Sequence, residues 1–557
     1  MPVNRQHVMR RRRFATGLSC LLSLTACTGV LAETGAPPAA AIASSSALAT
    51  DTGREIIDSG GNAFDAAVAM TAVLAVTEPH SAGLGGGGVW LLHHAGDKSA
   101  VVIDGLVTTP ELAHPSMLPV QEAGTDNDEP LRGAVTAGIP GVPAALVHLS
   151  QRYGRLPLGS SLAPAIRFAE KGFIPGIELQ LISTSHRRFF TGHPGAARVF
   201  AGDGSRVLQP ALANTFREIA IYGRSGFYEG KQAAALVNEV NRQGGIWTLK
   251  DLSSYQVKER EPLLAAYHAM QIVTTPLPSA GGIVLVQSLG ILSRFQLQAM
   301  PGVVQDHLII ESLRRAYRDR WAYARSPESV LGLHQINPEY LDALAMTLDP
   351  DQATPSRDVG DTPGIRHAGT QTTHFSIIDF EGNRVAATLS LNSLFGSGYL
   401  AAGSGVLLNN ELSIAAGMTD SDDTDSQVFT AGARRLTNMT PVFLEHEGRL
   451  AILGTPGGDR IASMLVQAAL AFHAGQDPAE WVKAPRFHHQ YLPDVVEFER
   501  DGLAFEVQRR LFDMGHRLAE TTGSFGRLQV VVWDRNNNRV SAITDPRGDG
   551  SAVVFKR

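Results

Sequence analysis

The sequence predicts an α/β fold, as two to four average domains or one large layered unit, and three observations carry that fold class. From about Pro140 to Met346 apolar residues recur at helical spacing, whereas from Thr372 onward they alternate with polar residues at the period of a strand. Ahead of both lies a strand–helix–strand run through Ala40–Ser45, Asn62–Val76 and Val89–His93.

The elements follow in order. Residues 33–50 are rich in Ala, Ser and Pro, a tether whose end, Ala40–Ser45, reads as a first strand. Asn62 stands as a helix N-cap with Asp65 three residues on, before an Ala/Val-rich run to Val76. Gly83-Leu84-Gly85-Gly86-Gly87-Gly88 breaks that helix, Val89–His93 resumes as a strand, and Val101–Asp104 is another. Residues 116–133 are polar and acidic without a period and read as a loop. Helices are expected over Pro140–Gln151, Leu162–Lys171, Lys231–Gln243, Ile283–Arg294 and Gln305–Ala324. Residues 350–371 gain Pro, Thr, Asp and Gly and lose apolar content, the signature of a mobile, accessible connection. Thr372–Asp379, the turn Glu381-Gly382-Asn383 and Arg384–Asn392 then spell a β-hairpin. Further strands are expected at Val442–Glu445, Arg449–Leu453, Leu528–Trp533 and Arg539–Thr544.

At 557 residues, with 44% hydrophobic and 18% charged residues, the chain can bury a sizeable core. Its formal charge is −6, and removing residues 1–32, which hold five arginines and no acid, takes it to −11. Nucleic acid is therefore an unsuitable partner, since it calls for a basic face. The first 32 residues read as an export signal: Arg10–Arg13 precede an apolar run, Phe14–Ala26, too short for a permanent span. Leu24-Thr25-Ala26-Cys27 looks like a lipobox, with Cys27 acylated and first in the mature chain. The alternative is ordinary cleavage after Val30-Leu31-Ala32, and Arg11-Arg12-x-Phe14 also allows twin-arginine export. The lipobox is favoured, placing the protein in the periplasm or cell envelope with a possible lipid anchor. Both cysteines, Cys20 and Cys27, fall in this signal, so the mature body has no disulfide, thiol nucleophile or cysteine metal ligand.

A threonine opening a strand is usually only a β-former. Thr372 becomes a catalyst if the peptide bond before it is cut, because its α-amine, with a pKa of about 8, can then serve as base for its own hydroxyl. The words around it support that outcome. Gln371-Thr372-Thr373-His374-Phe375-Ser376, Leu391-Asn392, Phe395-Gly396-Ser397-Gly398, Asn409-Asn410-Glu411 and Pro456-Gly457-Gly458-Asp459-Arg460 resemble the small subunit of γ-glutamyltranspeptidases. Gly60-Gly61-Asn62-Ala63, Gly83–Gly88, Phe227-Tyr228-x-Gly230 and Ser279-x-Gly281-Gly282 resemble its large subunit, so the likeness runs in order from about residue 40 to 555.

The resemblance implies an N-terminal-nucleophile hydrolase, a four-layer αββα sandwich formed by two chains cut from one precursor at Gln371–Thr372. Residues 33–371 would be the large subunit and 372–557 the small one. Thr372 would form an acyl-enzyme with an amide substrate, resolved by water or an amine acceptor. Gly457 and Gly458 match the oxyanion-hole pair, whose backbone donors are worth about 2.7–4 kcal/mol each. Ser390 matches a family threonine that hydrogen-bonds the nucleophile, and a three-residue turn at Glu381-Gly382 puts Ser390 opposite Thr372, where a two-residue turn would not. Asn392 and Glu411 match residues holding the donor's α-amino end.

The substrate clamp departs from the family. Leu106 stands where an arginine pairs with the donor α-carboxylate, Ile414 where an acidic residue binds the amine, and Thr437-Asn438 where two serines lie. The leading expectation is cleavage of γ-glutamyl amides such as glutathione. The alternatives are an acylase for a different acyl group, like the cephalosporin acylases, and a catalytically idle envelope protein. No cofactor or metal is expected: Gly85–Gly88 lack the Lys-Ser/Thr of a phosphate loop, and His488-His489 lack a third ligand at a metal-site spacing.

Overall fold

A sheet covered on both sides must turn alternate residues toward two separate apolar environments, and the strands around Thr372 do so. The computed structural model describes residues 35–118, 131–202, 204–324, 331–360, 371–413 and 429–557. The export signal with Cys20 and Cys27, most of the acidic loop, residues 361–370 of the connection and Ile414 lie outside the described residues. In chain order the principal strands are β1 (Ala40–Ser44), β2 (Gly87–His94), β3 (Ser99–Gly105), β4 (Lys258–Arg260), β5 (Leu263–Tyr267) and β6 (Met270–Thr274). After them come β7 (Gln371–Ile378), β8 (Arg384–Asn392), β9 (Val442–His446), β10 (Arg449–Gly454), β11 (Gln529–Asp534), β12 (Arg539–Thr544) and β13 (Ser551–Phe555).

They form two antiparallel sheets, ordered β13-β1-β7-β8-β2-β3-β4 and β12-β11-β10-β9-β6-β5. In the first sheet Ile42, Trp90, Phe375, Ile377, Ala387 and Leu389 turn to one side and pack with Val68, Leu74 and other residues of the helix Ala63–Thr77. Their neighbours Ala41, Leu91, Ile378 and Ala386 turn to the other and meet Phe443, Ile452, Val531 and Trp533 of the second sheet. The far side of the second sheet, including Leu444, Leu453 and Val530, packs on the helices Ala280–Leu292 and Ile461–His473. Thr372 and Ser390 share the parity of Ile378 and Ala386, so both open toward the second sheet.

The Gly60–Asp65 word has a local cause. Asn62 Oδ1 accepts from the amides of Phe64 (2.9 Å) and Asp65 (3.0 Å), and Asp65 Oδ2 accepts from Asn62 N (3.0 Å). This capping box satisfies the first amides of a helix buried along its whole length, where unpaired donors would be costly.

One part of the helical reading of 140–346 is corrected. Strands β4 to β6 lie within it, and β5 and β6 join through His268-Ala269, with His268 at φ 50°. That turn carries neither Gly nor Asn, the residues that usually announce such a connection. In residues 372–557, the helix Ile461–His473 and strand β13 add to the strands expected there.

Candidate active site

The hairpin carrying Thr372 is fixed by its turn. Asp379 N donates to Asn383 O (3.1 Å) and Gly382 N to Asp379 O (3.2 Å), with Gly382 at φ 91°. This is the three-residue connection, and it pairs Thr372 with Ser390, Thr373 with Leu389 and His374 with Thr388. A register irregularity between Gln371 and Thr372 sets Gln371 opposite Asn392, and Asn392 takes φ 77°.

Thr372 is 5% exposed, and its Oγ1 is buried with no hydrogen-bond partner among the described residues. Ser390 Oγ does not bond the Thr372 hydroxyl. It donates to the carbonyl oxygen of Gln371 (2.9 Å) and accepts from Asn392 N (2.7 Å). In the uncut chain the serine therefore holds the carbonyl of the peptide bond that precedes Thr372. His374 is locked beneath, its Nδ1 on Thr388 Oγ1 at 2.8 Å and its Nε2 on Ser376 Oγ at 3.2 Å. Burial drives its pKa down to about 3, so it stands neutral.

The glycine run at 85–88 sets the backbone close behind these groups. A Cβ on Gly85 would meet Leu407 O at 2.1 Å, and one on Gly86 would meet Ser390 O at 2.3 Å. Asn409 holds the same region together: its Nδ2 donates to Gly85 O (2.7 Å) and Gly138 O (2.9 Å), and its Oδ1 accepts from Glu411 N (3.0 Å). The Ser279-x-Gly281-Gly282 word plays the same part across the site. Ala280 N donates to Thr437 O (2.8 Å), and a Cβ on Gly281 would lie 2.7 Å from Asn438 O.

These segments close a cavity of about 20 Å³ that Thr372, Ser390, Asn392, Glu411, Thr437, Asn438 and Gly458 all line. Some of their polar atoms are already engaged. Asn392 Nδ2 donates to Asn410 O (3.1 Å), and Asn438 Nδ2 donates to Asp459 Oδ1 (2.7 Å), which Arg320 also holds (2.8 Å). Gly457 (φ 141°) and Gly458 (φ 58°) adopt backbone that suits glycine, and they lead into the N-terminal end of the helix Ile461–His473. Neither amide donates to an acceptor among the described residues.

Leu106 is absent from this lining. It is buried in the core between the sheets with Val102, Met439 and Phe443, and its carbonyl accepts from Tyr255 Oη (2.7 Å) and Arg434 Nη1 (2.5 Å). Leu106 thus serves packing and presents no side chain to the cavity. Gly457 lines a second, larger opening on the Gln371 side instead.

Sequence reasoning missed Arg435. It is 4% exposed, it follows Arg434 directly, and Leu436 and Thr437 after it line the cavity. Burial pushes the Glu411 carboxyl up to about 7, against the pull of Arg435, and burial draws the Arg435 guanidinium down to about 10, against the pull of Glu411. The Arg434-Arg435 pair in the sequence was the available signal, but only the fold sends one arginine to Leu106 O and the other beside Glu411. A second group also escaped notice: Thr373 Oγ1 bonds Ser45 Oγ, which bonds Glu78 (3.3 Å) on the helical side of the sheet.

The family model for gamma-glutamyltranspeptidase matches residues 49–555. The glutathione hydrolase proenzyme of Pseudomonas aeruginosa is 34% identical, the match covering 90% of this chain and 92% of that one. The acylase ACY 1 proenzyme of Pseudomonas sp. is 31% identical, covering 91% of this chain and 92% of that one. Among solved structures, the cephalosporin acylase from Bacillus halodurans superposes with a TM-score of 0.81 at 25% identity, over 93% of this chain and 96% of that one. Helicobacter pylori gamma-glutamyltranspeptidase gives a TM-score of 0.53 at 30% identity, over 57% of this chain and 93% of that chain. A match spanning nearly the whole sequence, with relatives above 30% identity along the same length, makes this chain an enzyme of the γ-glutamyltranspeptidase family.

Proposed function

We propose that the protein is a self-processing amidase and acyltransferase whose nucleophile is Thr372. The observation that carries this is the pairing of an unpartnered, buried Thr372 hydroxyl with a Ser390 hydroxyl on the carbonyl of Gln371. Thr372 Oγ attacks that carbonyl carbon, the C–N bond breaks, and the Gln371 acyl group passes to oxygen as an ester. Water then cleaves the ester, leaving a carboxylate on Gln371 and a free α-amine on Thr372. That amine takes the Oγ proton when a substrate amide is attacked, so one residue supplies base and nucleophile. Gly457 and Gly458 offer amides at a helix N-terminus to the oxyanion, a donor set that needs no rearrangement as charge develops. The two chains so formed, a large one ending at Gln371 and a small one of residues 372–557, would together make up the four-layer αββα sandwich.

The donor class is γ-glutamyl, as the names of the glutathione hydrolase relatives suggest. Glu411 and Asn392 receive its α-amino end, and Thr437 and Asn438 face its carboxylate. A second reading, an acylase for a different acyl group, is favoured by the one feature that departs most from a γ-glutamyl clamp. Leu106 lies in the core, while the buried cation Arg435 already acts on Glu411. We place the mature protein in the cell envelope, exported on a signal that ends at Ala26 and tethered at Cys27; among the described residues no helix is long and apolar enough to cross a membrane.

The test is direct. On a denaturing gel the purified protein runs as two chains, the smaller with Thr372 at its N-terminus, and Thr372→Ala stays as one inactive chain. A Thr372→Ala protein that still splits at this bond overturns the mechanism. Mass spectrometry of the acyl group trapped on Thr372, from glutathione and from glutaryl amides, separates the two donor readings.

A further inference from the structure

Thr372 Oγ1 has no hydrogen-bond partner among the described residues, so its place is set by the backbone that carries it. That backbone is held unevenly. On one side β7 stays paired with β8 through Thr372 itself, but on the other its ladder with β1 ends at the pair Ser44–Phe375. His374, Thr373 and Thr372 therefore run on past the last β1 pair. Side chains take over there, on the face of the sheet turned away from the small cavity. Thr373 Oγ1 bonds Ser45 Oγ, one residue beyond the end of β1, and Ser45 Oγ donates to Glu78 Oε2 (3.3 Å). All three residues are buried.

This row of groups has a direction and a firm end. A hydroxyl can donate or accept, whereas a carboxylate only accepts, so Ser45 gives its proton to Glu78 and receives that of Thr373. Burial pushes the Glu78 carboxyl up, and Arg527 and the hydroxyls of Thr373 and Ser45 pull it back toward the charged form. Glu78 is itself held by its backbone. It closes the helix Ala63–Thr77, its amide donating to Leu74 O (2.8 Å), and its carbonyl accepts from the amides of Ser81 and Ala82 (both 2.9 Å) just ahead of the glycine run. The cation that acts on it leads to the other half of the site. Arg527 N donates to Thr455 Oγ1 (2.9 Å), and Thr455 Oγ1 donates to Pro456 O (2.8 Å), directly before Gly457.

We propose that Thr373, Ser45 and Glu78 are positioning residues for the nucleophile: two hydroxyls and a carboxyl, drawn from both sides of the Gln371–Thr372 bond, that hold Thr372 Oγ in line with the Gly457 and Gly458 amides. None of the three touches the reacting atoms. They act through the strand, and they act twice, in the attack on Gln371 and in the attack on a substrate amide. Slackening them leaves Asn392 and Glu411 free to bind a donor but takes the oxygen off its line of attack, where small displacements are costly. This rests on Thr372 as the nucleophile, as proposed above.

Isosteric variants test the role. Thr373→Val keeps the shape of threonine and removes the hydroxyl, Thr373→Ser keeps the hydroxyl, and Glu78→Gln keeps the shape and removes the charge. The half-time of chain cleavage is followed on denaturing gels. The kcat and KM of the cleaved enzyme are measured by p-nitroaniline release from γ-glutamyl-p-nitroanilide, or from glutaryl-p-nitroanilide if that is the better donor. Thr373→Val and Glu78→Gln should each slow cleavage and lower kcat by about tenfold or more, with KM within about twofold of wild type. Thr373→Ser should recover both rates to within about threefold. The double variant Thr373→Val/Glu78→Gln should be no slower than the worse single one, since both sever the same row. A variant that stays uncut is read by its cleavage half-time, provided it melts within about 3 °C of Thr372→Ala, the uncut reference. Should Thr373→Val fail to fold, Ser45→Ala, which breaks the row in its middle, takes its place. Wild-type cleavage and kcat in Thr373→Val or Glu78→Gln overturns the positioning role. So does a rise in KM with kcat unchanged, or losses that multiply in the double variant. A Thr372→Ala protein that still splits, or a wild-type enzyme that releases p-nitroaniline from neither donor, overturns the assignment of the nucleophile instead.

Discussion

The hairpin that holds Thr372 and the clamp that surrounds Glu411 lie side by side, yet they are specified in different ways. In the hairpin, one turn glycine sets the register, and the register sets which hydroxyl faces which backbone group over eight residue pairs of ladder. Around Glu411, by contrast, Arg435 and Thr437 arrive from a separate stretch of chain and Leu106 is withdrawn into the core between the sheets, an arrangement that only long-range packing sets. A local device can be kept intact while its neighbour is rebuilt. The difference teaches that catalytic competence and donor choice can be altered independently in this protein.

The comparison can be broken most forcefully at Ser390. Ser390→Ala removes the donor to Gln371 O and should slow appearance of the two chains by about 100-fold or more, since a preorganised donor at a reacting carbonyl is worth that much. Time courses on denaturing gels after rapid dilution from denaturant measure this. Cleavage at the wild-type rate would show that the serine has no part in processing. Leu106→Arg probes the clamp's construction. Because Leu106 is in the core between the sheets, arginine there should cost about 3 kcal/mol or more and lower the melting temperature rather than install a carboxylate anchor. A stable variant with improved γ-glutamyl turnover would mean that the side chain reaches the cavity after all.

Smaller effects sharpen the contrast. Arg435→Gln removes the cation that opposes protonation of Glu411, so the Glu411 carboxyl should rise further above about 7. The KM of an amino-bearing donor at pH 7 should then increase by about tenfold, with kcat changed less. The wild-type enzyme should show the weakest effect, as a pH profile. Glu411 is raised, so it is neutral below its folded pKa and charged above it. The KM of such a donor should fall a few-fold as pH rises through about 7, and the KM of a donor lacking an α-amine should stay flat. The histidines give a separate signal in stability. His374 has a folded pKa of about 3, depressed from 6.5, so its contribution is complete above pH 6.5 and is lost progressively as pH falls toward 3.

Much of the candidate site was legible in the sequence because it depends on short-range constraints. The turn Glu381-Gly382-Asn383 implies the register, the register implies that Ser390 faces Thr372, and Gly457-Gly458 marks a backbone that few other residues tolerate. The capping box at Asn62–Asp65 and the strands β7 to β12 follow from side-chain chemistry within a few positions of each other. Only the tertiary structure decided the rest. It carried the hydroxyl of Ser390 to Gln371 rather than to Thr372, because the irregularity at Gln371 brings that carbonyl within 2.9 Å. It buried Leu106 between the sheets and set Arg435 beside Glu411, and it formed β5 and β6 where periodicity suggested helix. Each of these outcomes depends on which distant segment supplies the neighbour, and burial and charge take their values from neighbours in space rather than in sequence.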